Sequence, residues 1–477
     1  MLKIIPQPKE IIYMEGDVGD GIFSITEPKL PKEGYELYLN EKGITIYSSD
    51  KEGAFYAQKT LEQIIAQCEK LPNVVIKDSP KYLYRGYMLD CSRHFFTVEE
   101  ILKQIDVLAD LKINKFHWHL TDDQGWRIEI EQYPLLVTTG SKRNSTRNDN
   151  LPVSGYYTKA DIKKVVSYCT ERFIEVIPEL DMPGHFTAAI ASYPLLGCED
   201  KPLEVSEHFG IHSDIACAGK ESTYIFIKKI LEEIIELFPS DYIHLGGDEA
   251  LKLKWLNCPY CQKAIKEKNL KNEEELQGAF LSEIIKFVNS RGKKAILWND
   301  GLLGGNISGD YTVQYWKEGK RFIEVTNNEA AKGRTVIYSP FFSFYLDYPC
   351  GMTPLKKVYN YKTKISDEAI NGMEAPLWTE YVTNVKQLEF MTYPRIAAFA
   401  ERAWSNEANY TLFKIKLKLF LTYLKNNDIN YNNNYNPSII ERLLQTAKFF
   451  ANAFDSTLRK ASKEMIASKK AWNKKYK

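Results

Sequence analysis

The chain has 477 residues, of which 44% are hydrophobic and 26% are charged, and its formal net charge is +1. This length allows a large core and more than one domain. The near-zero net charge argues against a nucleic-acid-binding protein, because such surfaces need a concentrated basic footprint. No apolar run in the sequence approaches the length needed to cross a bilayer, so we expect no membrane partner.

Residues 1–80 are predicted to form a small α+β domain. The stretch YELYLNEKGITIYSS alternates apolar and polar residues around Lys42-Gly43, which predicts a β-hairpin. The stretch GAFYAQKTLEQIIAQC follows, with apolar residues at helical spacing. We find no residues in this domain that indicate a chemical function.

From residue 81 to residue 405, short β-rich runs alternate with amphipathic helices. The eight candidate strands are RGYMLD, KFHWHL, FIEVIPEL, YIHLGGDE, KAILWND, TVQYW, RTVIYSP and NGMEAPLWTE. Thr97 and Thr158 each begin a capping box that opens a helix. Eight strands with helical crossovers predict an α/β fold, a (β/α)8 TIM barrel. An open doubly wound sheet fits less well, because no glycine-rich phosphate loop follows a strand.

Residues 406–477 are predicted to form a helical C-terminal extension. It follows the helix YPRIAAFAERAWS and contains the Asn-rich loop NNDINYNNNYNPS. The last segment, KASKEMIASKKAWNKKYK, is rich in lysine, and we interpret it as a solvated terminus.

Two neighbouring acids, Asp248 and Glu249 in IHLGGDEA, follow the fourth predicted strand. In a TIM barrel the chemistry lies at the carboxyl ends of the strands. Two carboxylates held close cannot both ionise cheaply, so the pKa of one is expected to rise. A proton held near neutral pH is what a glycosidic leaving oxygen requires. The alternative, that one acid caps the next helix, explains only one of the two.

Five segments carry a family resemblance: RGYMLDCSRHF, KINKFHWHLTDDQGWRIEI, VIPELDMPGH, HLGGDEA and LWTEYV…YPRIAAFAERAW. In this order they resemble the β-N-acetylhexosaminidases of glycoside hydrolase family 20, from about Tyr82 to Trp404. The segment IIPQPKEI is similar to the small domain that precedes the barrel in that family. The resemblance implies an exo-acting, retaining hydrolase of terminal non-reducing β-linked GlcNAc, with GalNAc as a second candidate sugar.

The resemblance also implies substrate-assisted catalysis, which is an exception to the two-carboxylate scheme. The 2-acetamido oxygen of the sugar attacks its own anomeric carbon and forms an oxazolinium ion. Asp248 is implied to orient the acetamide N–H and to balance the developing charge. Glu249 is implied to protonate the leaving oxygen and then to deprotonate the attacking water. Asp122 is implied to pair with His185, and His185 to reach Glu249 and tune it.

The sugar-binding residues are likewise implied by the resemblance. Arg93 matches the arginine that binds the O3 and O4 hydroxyls, a task that suits its planar donor fork. The other implied contacts, to the acetamide group, the sugar face and the remaining hydroxyls, are Trp298, Trp316, Tyr345, Asp347, Trp378 and Glu380. The sequence departs from the family in the loop YPCGMTPLKKVYNY, where family members often carry another tryptophan.

Two alternatives from other functional classes remain open at this stage. His117 and His119 point to the same face of a strand, as zinc ligands would, which suits a metal-dependent amidohydrolase or deacetylase. The lysine and later histidine pair of such enzymes are missing from the sequence, so we expect hydrogen bonding there, and no metal or other cofactor. A catalytically inactive sugar-binding barrel is the second alternative, and the intact Asp248–Glu249 pair argues against it.

The cysteines and the first residues of the chain indicate where in the cell we expect the protein. The eight cysteines are spread thinly, which is typical of a protein with reduced thiols. We interpret Cys258 and Cys261 in NCPYCQ as loop thiols, with adventitious metal binding as a minor alternative. The start, MLKIIPQPKEIIYMEGD, contains no apolar stretch of signal-peptide length. We therefore expect a cytoplasmic protein whose partner is an oligosaccharide or glycoconjugate with a terminal N-acetylhexosamine; a homodimer is left open.

Overall fold

The computed structural model describes residues 1–147, 149–453 and 457–476. Its N-terminal part is a five-stranded sheet in the order β1-β5-β3-β4-β2, packed against helix α1 (Lys51–Ile65). The strands are β1 (Glu10–Tyr13), β2 (Ile22–Thr26), β3 (Tyr35–Asn40), β4 (Gly43–Ser48) and β5 (Val74–Asp78). The predicted hairpin is formed by β3 and β4, with Asn40 opposite Gly43.

Eight parallel strands then close into a barrel in sequential order, and the last strand pairs with the first. They are β6 (Tyr84–Asp90), β7 (Lys115–His119), β8 (Glu175–Glu179), β9 (Tyr242–His244), β10 (Lys294–Trp298), β11 (Tyr311–Tyr315), β12 (Val336–Tyr338) and β13 (Ile370–Leu377). The predicted TIM barrel and each of its eight strands are confirmed. The strands are almost wholly buried, as expected where helices cover the outside of a parallel barrel.

The strand register aligns the polar residues that end the first four strands. Asp90 lies opposite His119, His119 opposite Glu179, and Glu179 opposite His244. Ile177, Ile296 and Ile337 pack together nearer the amino ends, as an apolar layer drawn from alternate strands. The barrel interior therefore combines this apolar layer with buried polar side chains, and a charged layer lies at its carboxyl ends.

Helices surround the barrel and connect its strands. They are α2 (Val98–Asp110), α3 (Leu135–Thr138), α4 (Lys159–Thr170), α5 (Thr187–Ser192), α6 (Glu221–Leu237), α7 (Pro259–Glu267), α8 (Glu273–Ser290), α9 (Lys320–Ala331), α10 (Phe341–Phe344), α11 (Leu355–Tyr359), α12 (Val385–Thr392) and α13 (Arg395–Trp404). Thr97 and Thr158 form the predicted capping boxes of α2 and α4. Two short hairpins, Thr121–Asp122 with Gly125–Trp126 and Lys142–Arg143 with Val153–Ser154, lie in the barrel loops.

Three C-terminal helices complete the described structure: α14 (Tyr410–Asn426), α15 (Ile439–Ala453) and α16 (Thr457–Tyr476). Helix α14 is joined to α13 by a buried ion pair between Lys416 and Glu401, with Nζ–O distances of 2.6 and 2.7 Å. Helix α16 reaches the start of α8, where Lys475 and Tyr476 bind Glu273. Among the described helices, none combines the length and the apolar character needed to span a bilayer.

Candidate active site

The two neighbouring acids lie in a turn that depends on two glycines. The turn follows β9, and Gly246 and Gly247 have positive φ angles of 64° and 96°, a region that favours glycine. A side chain at Gly246 would overlap the Asp181 carboxylate, and Gly247 N donates to Asp181 Oδ1 at 3.0 Å. Glu249 has a φ of 48°, which is strained for a residue with a Cβ. The glycines thus let the backbone pass close to Asp181 and bring Asp248 and Glu249 to the carboxyl end of the barrel.

Asp248 is buried beside a second carboxyl group, that of Asp181, and an oxygen of each side chain lies within 4.8 Å of the other. Burial raises the pKa of Asp248 to about 7, an effect that His185 opposes and that Asp300 and Glu249 reinforce. Burial also raises the pKa of Asp181, and Asp248 adds to that effect. The two acids titrate as a pair, and the pair holds a proton close to neutral pH.

His185 connects Asp248 to a chain of ion pairs. Its Nε2 lies 3.7 Å from Asp248 Oδ2, and its Nδ1 donates to Asp122 Oδ1 at 3.0 Å. Asp122 in turn binds Arg93 Nη2 at 2.8 Å. Burial acts to lower the pKa of His185, but Asp122, Asp123 and Asp181 together outweigh it, and the pKa is raised well above its usual range. The resemblance implied that His185 reaches Glu249; instead, the charge of this buried imidazolium faces Asp248.

Glu249 is half-buried and faces Lys317, which our sequence interpretation did not identify. Lys317 Nζ lies 3.3 Å from Glu249 Oε1 and 3.2 Å from Asp300 Oδ2. Asp300 also accepts hydrogen bonds from Glu249 N at 3.2 Å and from Trp316 Nε1 at 2.9 Å. Burial acts to lower the pKa of Lys317, but Asp300 and Glu249 raise it overall. The position of Lys317 in the sequence could have identified it, because it directly follows Trp316 at the end of the sixth barrel strand.

Four aromatic rings form a continuous wall at the same end of the barrel. The Trp298 ring centroid lies 6.4 Å from that of Trp316 and 6.1 Å from that of Trp378. The Tyr345 ring lies 6.0 Å from Trp316 and 6.4 Å from Trp378. All four residues were implied by the resemblance, and the structure brings them together. Such a wall can pack against the apolar face of a sugar and enclose a small apolar group.

Arg93 and Glu380, the implied ligands of hydroxyl groups, are brought together with Asp347, which is implied to contact the acetamide N–H side or a ring hydroxyl. The Arg93 guanidinium lies 5.0 Å from the centroid of the Trp378 ring. Burial raises the pKa of Glu380, although Arg93 opposes the shift. Burial also raises the pKa of Asp347, and Glu380 adds to that effect. Asp347 Oδ1 is buried and has no hydrogen-bond partner among the described residues, so it can accept a donor from a bound molecule.

Glu179 gathers three histidines next to Trp298. It is hydrogen-bonded to His119 Nδ1 and accepts from Trp298 Nε1 at 2.8 Å, and its carboxylate oxygens lie 3.1 Å from His117 Nε2 and 2.9 Å from His244 Nδ1. His117, Glu179 and His244 are close enough together to hold a metal ion. Burial acts to lower the pKa of His117, but two neighbouring carboxylates raise it to about 9. His117 Nδ1 is bound to Glu374 Oε1 at 2.9 Å and Gly246 N donates to His244 Nδ1 at 3.0 Å, so this cluster fits a hydrogen-bonded support for Trp298.

The loop that lacks a tryptophan is covered by the C-terminal extension. The Tyr348 ring in this loop lies 5.3 Å from the ring of Phe449 in α15, and Phe449 lies 5.8 Å from Tyr381. Gly351 N donates to Gln445 Oε1 of the same helix at 2.7 Å. An aromatic side chain from a distant part of the sequence therefore lies against this loop, and no local motif indicates it.

Two family models match the chain. The model described as the catalytic domain of glycosyl hydrolase family 20 matches residues 82–407, and the model described as domain 2 of that family matches residues 8–79. A beta-hexosaminidase of Porphyromonas gingivalis is 39% identical over 417 residues, which cover 81% of this chain and 53% of the relative. A beta-hexosaminidase of Akkermansia muciniphila is 35% identical, with 79% and 80% covered. The chain thus spans about half the length of the first relative and most of the second.

Solved structures with the same fold are also similar to this chain. One is described as a beta-N-acetylhexosaminidase, with a TM-score of 0.86, 31% identity, and 92% of this chain and 98% of that chain covered. Another is an exo beta-N-acetylglucosaminidase from Vibrio harveyi in complex with N-acetylglucosamine, with a TM-score of 0.82 and 29% identity. In that comparison 90% of this chain and 78% of the other are covered.

Asp248→Asn is expected to stabilise the protein more at pH 8 than at pH 5. Because the folded-state pKa of Asp248 is raised, its stabilising contribution is complete at low pH and is lost as the pH rises through about 7. Asparagine carries no charge at either pH. The free energy of unfolding of the variant, relative to that of the parent, should therefore increase by on the order of 2 kcal/mol between the two pH values.

Urea unfolding at both pH values measures this difference. Asp367→Asn, which changes an exposed aspartate, serves as the matched control and should show no such dependence on pH. If the free energy of unfolding changed with pH by the same amount in Asp248→Asn and in the parent, the result would contradict the raised pKa of Asp248.

Proposed function

The chain belongs to glycosyl hydrolase family 20, and we propose that it is an exo-acting, retaining β-N-acetylhexosaminidase. The proposed substrates are oligosaccharides or glycoconjugates that end in a non-reducing β-linked GlcNAc or GalNAc. The observation that carries the proposal is the pairing of a buried acid, Asp248, with a half-exposed acid, Glu249, beside one aromatic wall. The N-acetylglucosamine complex of the Vibrio harveyi relative supports the choice of sugar.

In the first step the acetamide oxygen of the bound sugar attacks its anomeric carbon. The glycosidic C–O bond breaks, and Glu249 gives its proton to the departing oxygen. The product is an oxazolinium ion, whose positive charge lies close to the Asp248 carboxylate. In the second step Glu249 takes a proton from water, the water oxygen bonds to the anomeric carbon, and the oxazolinium ring opens. Two displacements at one carbon retain the β configuration.

The proposed roles require the two acids to differ in protonation when the substrate is bound, with Asp248 as a carboxylate and Glu249 as a neutral acid. In the free site the Asp181–Asp248 pair holds a proton near neutral pH, as argued above. An acetamide N–H that donates to Asp248 would favour its carboxylate, because a hydrogen bond to the charged form stabilises that form. His185, held as a cation by Asp122, supports the same state. Asp181 would then keep the proton, and substrate binding would prepare Asp248 for the positive intermediate.

The aromatic wall supports the intramolecular attack. A nucleophile that is held in the attacking position saves the entropy of bringing two reactants together. Trp298 is almost fully buried and is fixed by its hydrogen bond to Glu179, and Trp316 is fixed by its hydrogen bond to Asp300. We propose that these two rings, with Tyr345 and Trp378, confine the acetamide group.

We also propose a cytoplasmic location, where the substrates would be imported oligosaccharides or glycan fragments. The eight cysteines, all of which lie in the described residues, form no disulfide bonds, which is typical of a reducing compartment. Assay of the activity in separated cell fractions tests this location.

Glu249→Gln is expected to reduce kcat on a GlcNAc disaccharide by ~10²–10⁴-fold, the usual contribution of general acid catalysis. An aryl glycoside should lose less, because its leaving group needs little protonation. Steady-state kinetics on both substrates test this expectation, with Glu267→Gln, an exposed glutamate in α7, as the matched control. Equal losses on the two substrates would contradict the role of proton donor.

Removal of the acetamide group from the substrate is expected to abolish the proposed nucleophile. An aryl glucoside should be hydrolysed at least ~10³-fold more slowly than the aryl GlcNAc, because a positioned internal nucleophile contributes several orders of magnitude. Asp248→Asn should lower the rate on the aryl GlcNAc by ~10²-fold, and a thiazoline mimic of the oxazolinium ion should inhibit the parent strongly. Comparable rates on the two aryl substrates would refute the mechanism.

Lys317→Met is expected to move the alkaline limb of the kcat profile to higher pH. The Lys317 ammonium lies 3.3 Å from Glu249 Oε1, and its loss removes a positive charge beside the acid whose protonated form begins the proposed reaction. Lys320→Met, which removes an exposed lysine in α9, is the matched control. An unchanged alkaline limb in Lys317→Met would show that this lysine does not act on the proton donor.

A further inference from the structure

Four cysteine thiols converge at one point outside the candidate active site. Cys217 Sγ lies 3.7 Å from Cys258 Sγ and 3.6 Å from Cys261 Sγ, and Cys198 Sγ lies 4.0 Å from Cys261 Sγ. All four sulfur atoms lie within 4.8 Å of one another, and three of the four residues are buried. The two loop thiols singled out in the sequence are therefore half of a larger cluster.

The sulfur–sulfur distances match a tetrahedral metal site. Zinc binds thiolate sulfur at about 2.3 Å with tetrahedral geometry, which places the sulfurs about 3.8 Å apart. A disulfide bond would require about 2.05 Å between sulfurs, far shorter than the distances in the cluster. We propose that Cys198, Cys217, Cys258 and Cys261 bind one structural Zn²⁺ ion.

The local backbone suits thiolate ligands. Cys258 immediately precedes α7 and acts as its N-cap, and Cys261 lies in the first turn of this helix. The positive end of the helix dipole favours negative charge at these positions. The spacing of two residues between Cys258 and Cys261 is also the commonest spacing of ligand pairs in structural zinc sites.

The other two ligands come from a segment that has little regular structure of its own. No helix or strand is formed between Leu196 and Glu221, all of whose residues the structure describes. A side chain at Gly219 would overlap the backbone of Tyr260 and Cys261, so the two segments touch directly. A long loop without secondary structure needs other constraints to hold one conformation, and a metal with ligands on both segments would supply them.

A buried cation lies beside the cluster. Lys220 is 8% exposed, and its Nζ donates to Gly197 O at 2.7 Å. Lys220 also forms an ion pair with Asp200 Oδ1 at 2.5 Å. Four thiolates and one Zn²⁺ carry a net charge of −2, and a nearby ammonium group would reduce the cost of burying that charge.

The proposed ion joins the two loops that carry the acids and the histidine of the candidate site. Ala216 N donates to Pro183 O at 2.9 Å, next to His185, and Trp255 Nε1 donates to Ala216 O at 3.0 Å. Four protein ligands leave no open coordination position, which is typical of a structural rather than a catalytic zinc. The inference rests on the thiol geometry alone and is independent of the proposed function.

The metal content of the full chain tests the proposal. We expect about one zinc per chain by inductively coupled plasma mass spectrometry after purification from zinc-supplemented cells. Cys258→Ser/Cys261→Ser should lose the metal and melt at a lower temperature, whereas the matched control Cys68→Ser, which lies outside the cluster, should keep it. Zinc that stays bound to the double variant would overturn the assignment.

Cobalt substitution of the wild-type chain provides a test that does not depend on folding of the variants. Co²⁺ added to metal-depleted protein should produce thiolate-to-cobalt charge-transfer absorption and the intense visible bands of a tetrahedral site. Zn²⁺ should then displace the cobalt and remove both signals. The proposal would be refuted if the native chain contained no zinc and also showed no charge-transfer absorption with cobalt. It would also be refuted if these four cysteines formed disulfides with one another.

Discussion

The candidate site depends on the compensation of buried charge at the carboxyl ends of the barrel strands. Burying a carboxylate costs several kcal/mol unless opposite charges and hydrogen bonds offset the loss of water. Asp122 meets this requirement through Arg93 and His185, and the pKa of Asp122 is held well below its usual range although its burial acts in the opposite direction. Asp248 differs, because Asp181 beside it is also an acid, and burial raises the pKa of Asp248 as it raises those of Asp347 and Glu380. The proton of the Asp181–Asp248 pair is therefore one that a bound substrate can redistribute.

This arrangement gives the two acids different exposure to solvent. Asp248 is surrounded by protein, so its charge responds strongly to any new donor or cation placed beside it. Glu249 is more accessible and is held by Lys317 and by a hydrogen bond from its own N–H to Asp300. Asp248 faces His185, whereas Glu249, which has a positive φ, faces Lys317 in spite of their adjacency in sequence. Two acids one residue apart can therefore have different environments, which the division of roles in the proposed mechanism requires.

The sequence predicted the barrel better than it predicted the partners of the acids. The eight strands and the capping boxes at Thr97 and Thr158 follow from local periodicity and short-range hydrogen bonding, and both are present in the structure. The pairing of Asp181 with Asp248 depends instead on a close approach of the backbone at Gly246, which connects two strand ends far apart in the chain. Lys317 and Phe449 were missed for the same reason. A charge or an aromatic ring that acts across the barrel mouth leaves no spacing signal in one sequence.

The cluster of four cysteines bears on how the loops at the carboxyl end of the barrel are held in place. The carboxyl end of a TIM barrel is built from long loops, and here the strained turn with Asp248 and Glu249 stands at the start of one of them. Strain of this kind persists only where the surroundings over-determine the conformation. Hydrogen bonds from Gly247 to Asp181 and from Gln277 to Gly247 fix the first half of the turn. The second half leads within nine residues to Cys258, whose thiol meets that of Cys217 from the preceding loop. Constraints on both sides of the two acids explain how a strained turn can hold them in fixed positions.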